Sequence, residues 1–379
     1  MRAIRLLQLT TFVSTLDRFV MPPMLISIAT DMGASLSEVV RAASVYFLVY
    51  GLMQLVWGTV SDALGLVRTM RLTMLAAAVS TIAAAFVGNP LWLAISRGFA
   101  GGFFGAAYPA SLVYLGDTVP AKERQPEITR LMVGTAMGIG LASIGAGLIA
   151  QLLSWRVAFV ATGIASLVLF VLLRKLPQPP LTRKGSSVVK AVVSVGRTKA
   201  AVFVLLLAFT EGVVLLGVLT LLPPAVEQSG ATPTIAGAVT AVYGIAVFLM
   251  TRVVVSLASR WHPAKLIGIG ASAGVLACAL LSIDQTPWIT VIAAVLLGLA
   301  WTAMHSSIQT WATEVVPDAR ATMISLFATA LFAGSAVAAA AVAGLVEAGA
   351  YGTIFFIAAA LTVPLGLFAS VSRARWRAP

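Results

Sequence analysis

The sequence predicts an all-α membrane protein of twelve transmembrane helices arranged as two pseudo-symmetric six-helix bundles. Three observations carry this reading. The 379 residues are 60% hydrophobic and only 10% charged, whereas a soluble domain holds ~45–50% apolar and ~25% charged residues. Apolar runs matching the ~20 residues that a bilayer core demands recur along the whole chain. The two halves also resemble each other at a nearly constant spacing. Together these exclude an ordinary cytosolic enzyme, a disordered chain, a collagen-like fibre and a soluble domain on a single anchor.

Taken in order, helices are expected over 6–30, 37–58, 70–88, 91–115, 129–152, 157–174, 201–226, 235–258, 265–283, 288–313, 321–346 and 350–371. The runs are rich in Ala, Leu and Gly and do not alternate. Barrel strands would be ~10 residues long with strict alternation. The first run follows Arg2 and Arg5 and carries Asp17 and Arg18. It is too long for the apolar stretch of a signal peptide, so a retained helix is expected.

Lys and Arg set the orientation. With the N-terminus inside, one side collects Arg2, Arg5, Arg68, Arg71, Lys122, Arg124, Arg130, Arg174, Lys175, Arg183, Lys184, Lys190, Arg197, Lys199, Arg260, Lys265, Arg320, Arg373, Arg375 and Arg377. The other side has Arg41 and Arg156, both at helix ends. The expected placement is the inner (plasma) membrane, multi-pass, with both termini cytoplasmic. The net charge of +12 is therefore a membrane-orienting excess rather than a nucleic-acid surface, which would need one solvated basic face.

The stretch 175–200 is the one long polar segment, with Pro177, Pro179, Pro180, Gly185, Ser186 and Ser187. It divides the chain into an N-terminal bundle (1–174), a cytoplasmic linker (175–200) and a C-terminal bundle (201–379). A solvated tether carrying a surface helix is expected there, its charges able to meet anionic lipid. At an offset near 197, Gly33 and Tyr46 match Gly230 and Tyr243, Gly101 matches Gly298, and Val119-Pro120 matches Val316-Pro317. Offset 196 pairs Phe159 with Phe355. Parallel repeats of this kind suit a secondary transporter with its site between the halves.

The stretch Gly58-Thr-Val-Ser-Asp62-Ala-Leu-Gly65-Leu-Val-Arg68 resembles the signature loop of the major facilitator superfamily, G-x-x-x-D-x-x-G-x-x-x-R. In that reading Gly58 allows close helix packing and Gly65 a tight turn. Asp62 caps a helix end or pairs with a nearby Arg, gating one side. Ala63, Leu66 and Val67 stand where the family commonly has basic residues. Asp117-Thr-Val-Pro120-Ala-Lys-Glu123-Arg124 and Ser154-Trp155-Arg156 followed by Phe159 resemble further family segments. Leu16-Asp17, Pro23 and Ile28-Ala29-x-Asp31 resemble the first helix of the twelve-helix drug/proton antiporters. Leu93-x-x-x-Arg97-x-x-x-Gly101 resembles the motif whose arginine is tied to proton coupling. In helix 5, Gly138-Ile-Gly-Leu-Ala142-Ser143-Ile-Gly145-Ala146-Gly147 has Ala-Ser where those antiporters have Gly-Pro. With Gly134, these glycines still allow a close-packed rocking helix. The resemblance implies the major facilitator fold, with helices 1, 4, 7 and 10 lining the cavity.

Ionisable groups inside a bilayer are expensive and default to function. The mid-span ones are Asp17, Arg18, Arg97, Glu211 and His305, with Arg252 nearer a helix end. Asp17 is the first candidate for carrying the proton, because burial favours a neutral carboxyl and a nearby Arg a charged one. Its bland alternative is an ion pair with Arg18 or Arg97. Asp17→Asn is expected to abolish coupling with folding intact. Glu211 is the rival, or else a neutral acid bonding a facing helix. Arg97 modulates Asp17, holds a substrate anion, or bonds backbone carbonyls of helix 1. The substrate candidates are Arg18, Met21, Tyr108, Trp301, His305 and Gln309. Trp301, His305 and Gln309 share one stripe at i, i+4, i+8, and Tyr108 is the repeat partner of His305. Met21, Met24 and Phe19 suit a plastic apolar lining or plain packing.

Cys278 is the single cysteine and His262 joins His305 as one of two histidines. No disulfide within the chain and no zinc-type cluster is expected. No G-x-x-x-x-G-K-[ST] phosphate loop occurs, so no cofactor is expected and a proton gradient is the energy source. No nucleophile–base set stands out, so the chain reads as a non-enzyme. The first functional expectation is proton-coupled efflux of drugs or small amphipathic metabolites by alternating access. The second is a symporter or facilitator taking up a small polar nutrient or organic anion. The expected working unit is a monomer in the lipid bilayer, exchanging a small-molecule substrate and protons.

Overall fold

Prolines and capping side chains set several helix starts. Pro90, Pro233, Pro263 and Pro287 open helices, where a missing N–H costs nothing. Ser35 and Glu38 form a capping box. Asn89 and Thr232 accept from the backbone N–H groups of Trp92 and Ile235. The computed structural model describes residues 3–179 and 188–377. Arg2, Pro180, Arg183, Lys184, Gly185, Ser186 and Ser187 lie outside the described residues, as do the side chains of Lys122 and Glu123.

The chain divides into two compact units, Met1–Ser186 and Ser187–Pro379. The first holds α1 (Ala3–Val20), α2 (Leu25–Met32), α3 (Leu36–Leu64), α4 (Leu66–Ala84), α5 (Pro90–Phe104), α6 (Ala107–Thr118), α7 (Ala121–Leu152) and α8 (Trp155–Leu172). The second holds α9 (Val188–Arg197), α10 (Lys199–Glu211), α11 (Gly217–Gln228), α12 (Pro233–Ala258), α13 (Pro263–Ile283), α14 (Pro287–Ala300), α15 (Ser306–Val315), α16 (Arg320–Ala341), α17 (Ala343–Glu347) and α18 (Tyr351–Arg375). Strands are absent among the described residues. Eleven helical stretches are long and apolar enough to cross a membrane. The remaining expected span, 91–115, is the α5–α6 pair. Pro109 breaks it: that residue has no N–H for the Gly105 carbonyl, and its ring crowds that carbonyl. Pro22 and Pro23 likewise interrupt the first span with a 3-10 turn.

Inside each unit the helices pair in the same way. In the first, α1 packs on α7, α3 on α5 and α4 on α8; in the second, α10 packs on α16, α12 on α14 and α13 on α18. The repeat positions read from the sequence fall at matching places. Gly33 and Gly230 both adopt the left-handed conformation, at φ 60° and 98°. A Cβ on Gly101 would lie 2.4 Å from the Tyr46 carbonyl oxygen, and one on Gly298 would lie 2.6 Å from Ala246 Cβ. Trp155 with Phe159 and Tyr351 with Phe355 form aromatic pairs opening α8 and α18.

Two expectations about glycines change. Gly58 and Gly145 have open space where a Cβ would stand, so neither mediates close packing. Gly134 and Gly138 do, against the carbonyls of Gln8 and Phe12 on α1. The tightest crossing joins the α10–α11 region to α16. A Cβ on Gly212 would sit 1.8 Å from the Leu331 carbonyl oxygen, and one on Gly334 would sit 2.0 Å from that of Phe209. Gly212→Ala and Gly334→Ala are each expected to cost about 1–3 kcal/mol from overpacking. A thermal melt of the detergent-solubilised protein checks this, and an unchanged Tm would refute the crossing.

Gly65 sits at φ 90°, and a Cβ there would lie 2.9 Å from Gln178 Nε2. Gln178 Oε1 accepts from Val67 N at 2.9 Å, and the Tyr114 hydroxyl donates to the Pro177 carbonyl at 3.1 Å. The start of the polar stretch is therefore fastened to the first unit and is not a free tether. Its far end, α9, belongs to the second unit and packs on α10 and α16.

Candidate proton and substrate sites

Burial is inverted with respect to a soluble protein. Phe86, Trp288 and Ile283 are exposed, while Asp17, Arg97, Glu211 and His305 are buried. In a bilayer that is the arrangement polar function requires.

In the first unit, Asp17 is fully enclosed near the end of α1. Arg97 of α5 donates through Nη1 to its Oδ1 at 3.1 Å and through Nη2 to the Asp17 backbone carbonyl at 2.8 Å. Oδ2 also lies 3.1 Å from Nη1. Thr81 of α4 and Thr162 of α8 each donate to Oδ1 at 3.2 Å. The Arg97 guanidinium lies between the rings of Tyr46 and Phe159, 4.5 and 4.7 Å from their centroids. Five helices thus meet at one ion pair. The bland alternatives for Asp17 and for Arg97 are realised together: Asp17 pairs with Arg97, and Arg97 bonds a helix 1 carbonyl. Thr81, Thr162 and the stacking role of Tyr46 escape sequence reading, because threonines and tyrosines in a span carry no signal of their own.

Arg18 is half-buried and stacks on Phe19 and Tyr50, with its guanidinium carbon 5.0 and 5.1 Å from their centroids. Tyr108 lies within electrostatic reach of Arg18 and Tyr50. A guanidinium is a planar fork of donors whose geometry matches a carboxylate. Tyr50 is a further residue the sequence did not single out. Met21 is buried at the break after α1.

In the second unit, Glu211 ends α10 and a π-helical segment, Gly212–Leu216, follows. A second π segment, Trp301–His305, joins α14 to α15. Such widened turns favour functional sites, and here each lies at a close approach of helices. The Gly212–Gly334 crossing lies at the first. Gly270 lies against the second, where an added Cβ would meet Met304 N at 2.5 Å. Between them, His305 Nδ1 lies 3.1 Å from Glu211 Oε2. The Trp301 ring stacks on the imidazole at 3.9 Å, with Phe327 of α16 at 5.7 Å. Glu211 Oε1 is buried without a hydrogen-bond partner among the described residues. Sequence reading named both groups but did not join them. The expected stripe holds for Trp301 and His305, while Gln309 is exposed on α15.

The contacts expected of Asp62 are not formed among the described residues. Asp62 and Arg68 are exposed, and among the described residues Asp62 neither caps a helix nor pairs with an arginine. Other charged residues do pair. Arg156 and Trp155 bind Asp31. Arg373 binds Glu314 at 2.8 Å and lies over Trp311 and Trp376. Arg124 holds the carbonyls of Gly116 and Val119 at the end of α6. Among the described residues no group of His, Cys, Asp and Glu is placed to hold a metal ion.

Comparison with known proteins agrees with this architecture. The niacin transporter NiaP of Acinetobacter baylyi is 23% identical over 172 residues, 45% of this chain and 39% of that protein. The gallate transporter of Pseudomonas putida is 29% identical over 116 residues, 31% of this chain and 26% of that protein. The chain thus spans less than two fifths of the length of these curated relatives. A solved D-xylose–proton symporter superposes with a TM-score of 0.81 at 18% identity, over 97% of this chain and 96% of that one, a likeness of fold. The family model described as Major Facilitator Superfamily matches residues 7–339 and again 204–377. By that match the chain belongs to the Major Facilitator Superfamily, and its eleven long apolar helical stretches make it a multi-pass membrane protein.

Proposed function

We propose that this transporter takes up a small organic carboxylate together with protons, and that Glu211 and His305 exchange the proton. The buried Glu211–His305 contact carries the reading. A carboxyl and an imidazole both gain and lose protons, and the second Glu211 oxygen is left unpartnered in the span. Asp17 faces a different partner. Its cation is a permanently charged guanidinium, so protonating Asp17 strands a buried charge. Asp17 and Arg97 therefore tune the first unit rather than carry the cargo proton. Arg18, with Tyr50 and Tyr108, supplies the contact for the substrate carboxylate, and Met21 supplies apolar lining. Niacin and gallate, named for two relatives, are small aromatic carboxylates that suit a stacked arginine.

The cycle is alternating access of two six-helix bundles in the inner (plasma) membrane, by a monomer with cytoplasmic termini. Proton-driven efflux of drugs or amphipathic metabolites is the second reading, favoured by Asp17 and the Leu93–Gly101 motif. Proteoliposomes enclosing a pH dye separate the two. Adding niacin, gallate, a hexuronate or a cationic drug outside is expected to drive internal acidification with a carboxylate only. Proton movement opposite to a drug would establish efflux instead. Substrate flux without any proton signal would overturn both.

A further inference from the structure

We propose that α9 is an interfacial helix that binds the headgroups of anionic phospholipids beside the first span of the second unit. The stretch Val188–Arg197 reads VVKAVVSVGR. At 3.6 residues per turn, Lys190, Ser194 and Arg197 share one face, and the valines spread over the rest. The structure divides that apolar arc in two. Val195 is fully buried, and the helix packs on α10, on α16 and on the turn Pro317–Ala319. Val189 and Val193 are 71% and 44% exposed, one turn apart, next to the edge that carries Arg197.

Two neighbouring exposed valines suit apolar surroundings on the open side, and a spanning helix has no place for Lys190 and Arg197. An apolar strip bordered by cations is the pattern of a helix lying in the plane of the headgroups. Connectivity fixes the depth. Only Thr198 separates α9 from Lys199, which opens a spanning stretch, Lys199–Gln228. The Thr198 N–H and hydroxyl are bonded back to Val195 and Ser194 at 3.1 and 3.0 Å, which holds the corner between the two helices. Among the described residues, the exposed charges around that corner are Lys190, Arg197, Lys199 and Arg320 against Asp318. The balance is positive, so the complementary surface is anionic. The valines then enter the acyl boundary while the cations meet phosphate.

The test uses the full chain in bilayers, with Cys278→Ser and Val193→Cys carrying a fluorophore. Quenching by brominated phosphatidylglycerol is compared with quenching by brominated phosphatidylcholine, which gives the relative binding constant at α9. A preference for phosphatidylglycerol of up to about fivefold per cation is expected at low salt. It should vanish at high salt and in Lys190→Gln/Arg197→Gln/Lys199→Gln. Equal constants for the two lipids at low salt would overturn the proposal, and that arm needs no charge variant to fold. Weak quenching by both lipids, with the label open to a water-soluble quencher, would overturn it as well.

Discussion

Glu211→Gln is expected to abolish pH-driven accumulation of substrate while leaving substrate exchange across the membrane in place. Glutamine keeps the size of the side chain and can still bond His305 Nδ1, which lies 3.1 Å from the carboxylate. It cannot exchange a proton. A gradient of one pH unit is about 1.4 kcal/mol per proton, about tenfold in accumulation for each proton coupled. In proteoliposomes the wild type should therefore accumulate substrate about tenfold per proton, and the variant not at all. Counterflow under symmetric pH should stay within about twofold of wild type. Wild-type accumulation in the variant would remove Glu211 from coupling and return the role to Asp17.

Arg97→Leu is expected to destabilise the first unit by about 3–5 kcal/mol, because it leaves a carboxylate buried with only two threonine donors. The stacking on Tyr46 and Phe159 is lost as well. Asp17→Asn carries the converse cost, an unpaired guanidinium in a site that is 1% exposed. The sequence alone expects that variant to fold intact; the ion pair alters the expectation. Asp17→Asn/Arg97→Leu should recover a large part of the loss, since removing both charges removes the uncompensated one. Unfolding in detergent for the four proteins closes the cycle. Single variants as stable as the double variant would show that the pair is loosely held. The double variant also separates failed transport from failed folding at this site.

Much of the architecture was legible because its signals are local and additive. Hydropathy over ~20 residues marks a span whatever surrounds it, and prolines with capping side chains mark the ends. Pro109 in 91–115 was just as readable in principle. Its break was missed because hydropathy averages over it. The repeat was readable because Gly33, Gly101, Phe159 and their partners recur at a nearly constant spacing, and each pair falls at matching places in its own unit.

The chemistry of the sites was legible only as a set of suspects. Asp17, Arg97, Glu211 and His305 stood out because charge in a span is rare and costly. Their partners did not. Thr81 and Thr162 reach Asp17 across 64 and 145 residues of chain, and His305 reaches Glu211 across 94. No periodicity carries such separations. The π segments escaped for a related reason: they coincide with the close approach of Gly212 to α16 and of Gly270 to Met304, contacts between helices rather than within one. The sequence by itself therefore determined the spans, the repeat and which residues had to earn their place in a membrane. Only the tertiary structure decided that Asp17 is locked to a fixed cation while Glu211 faces a group that can exchange a proton, because which helices touch depends on packing that no local stretch encodes.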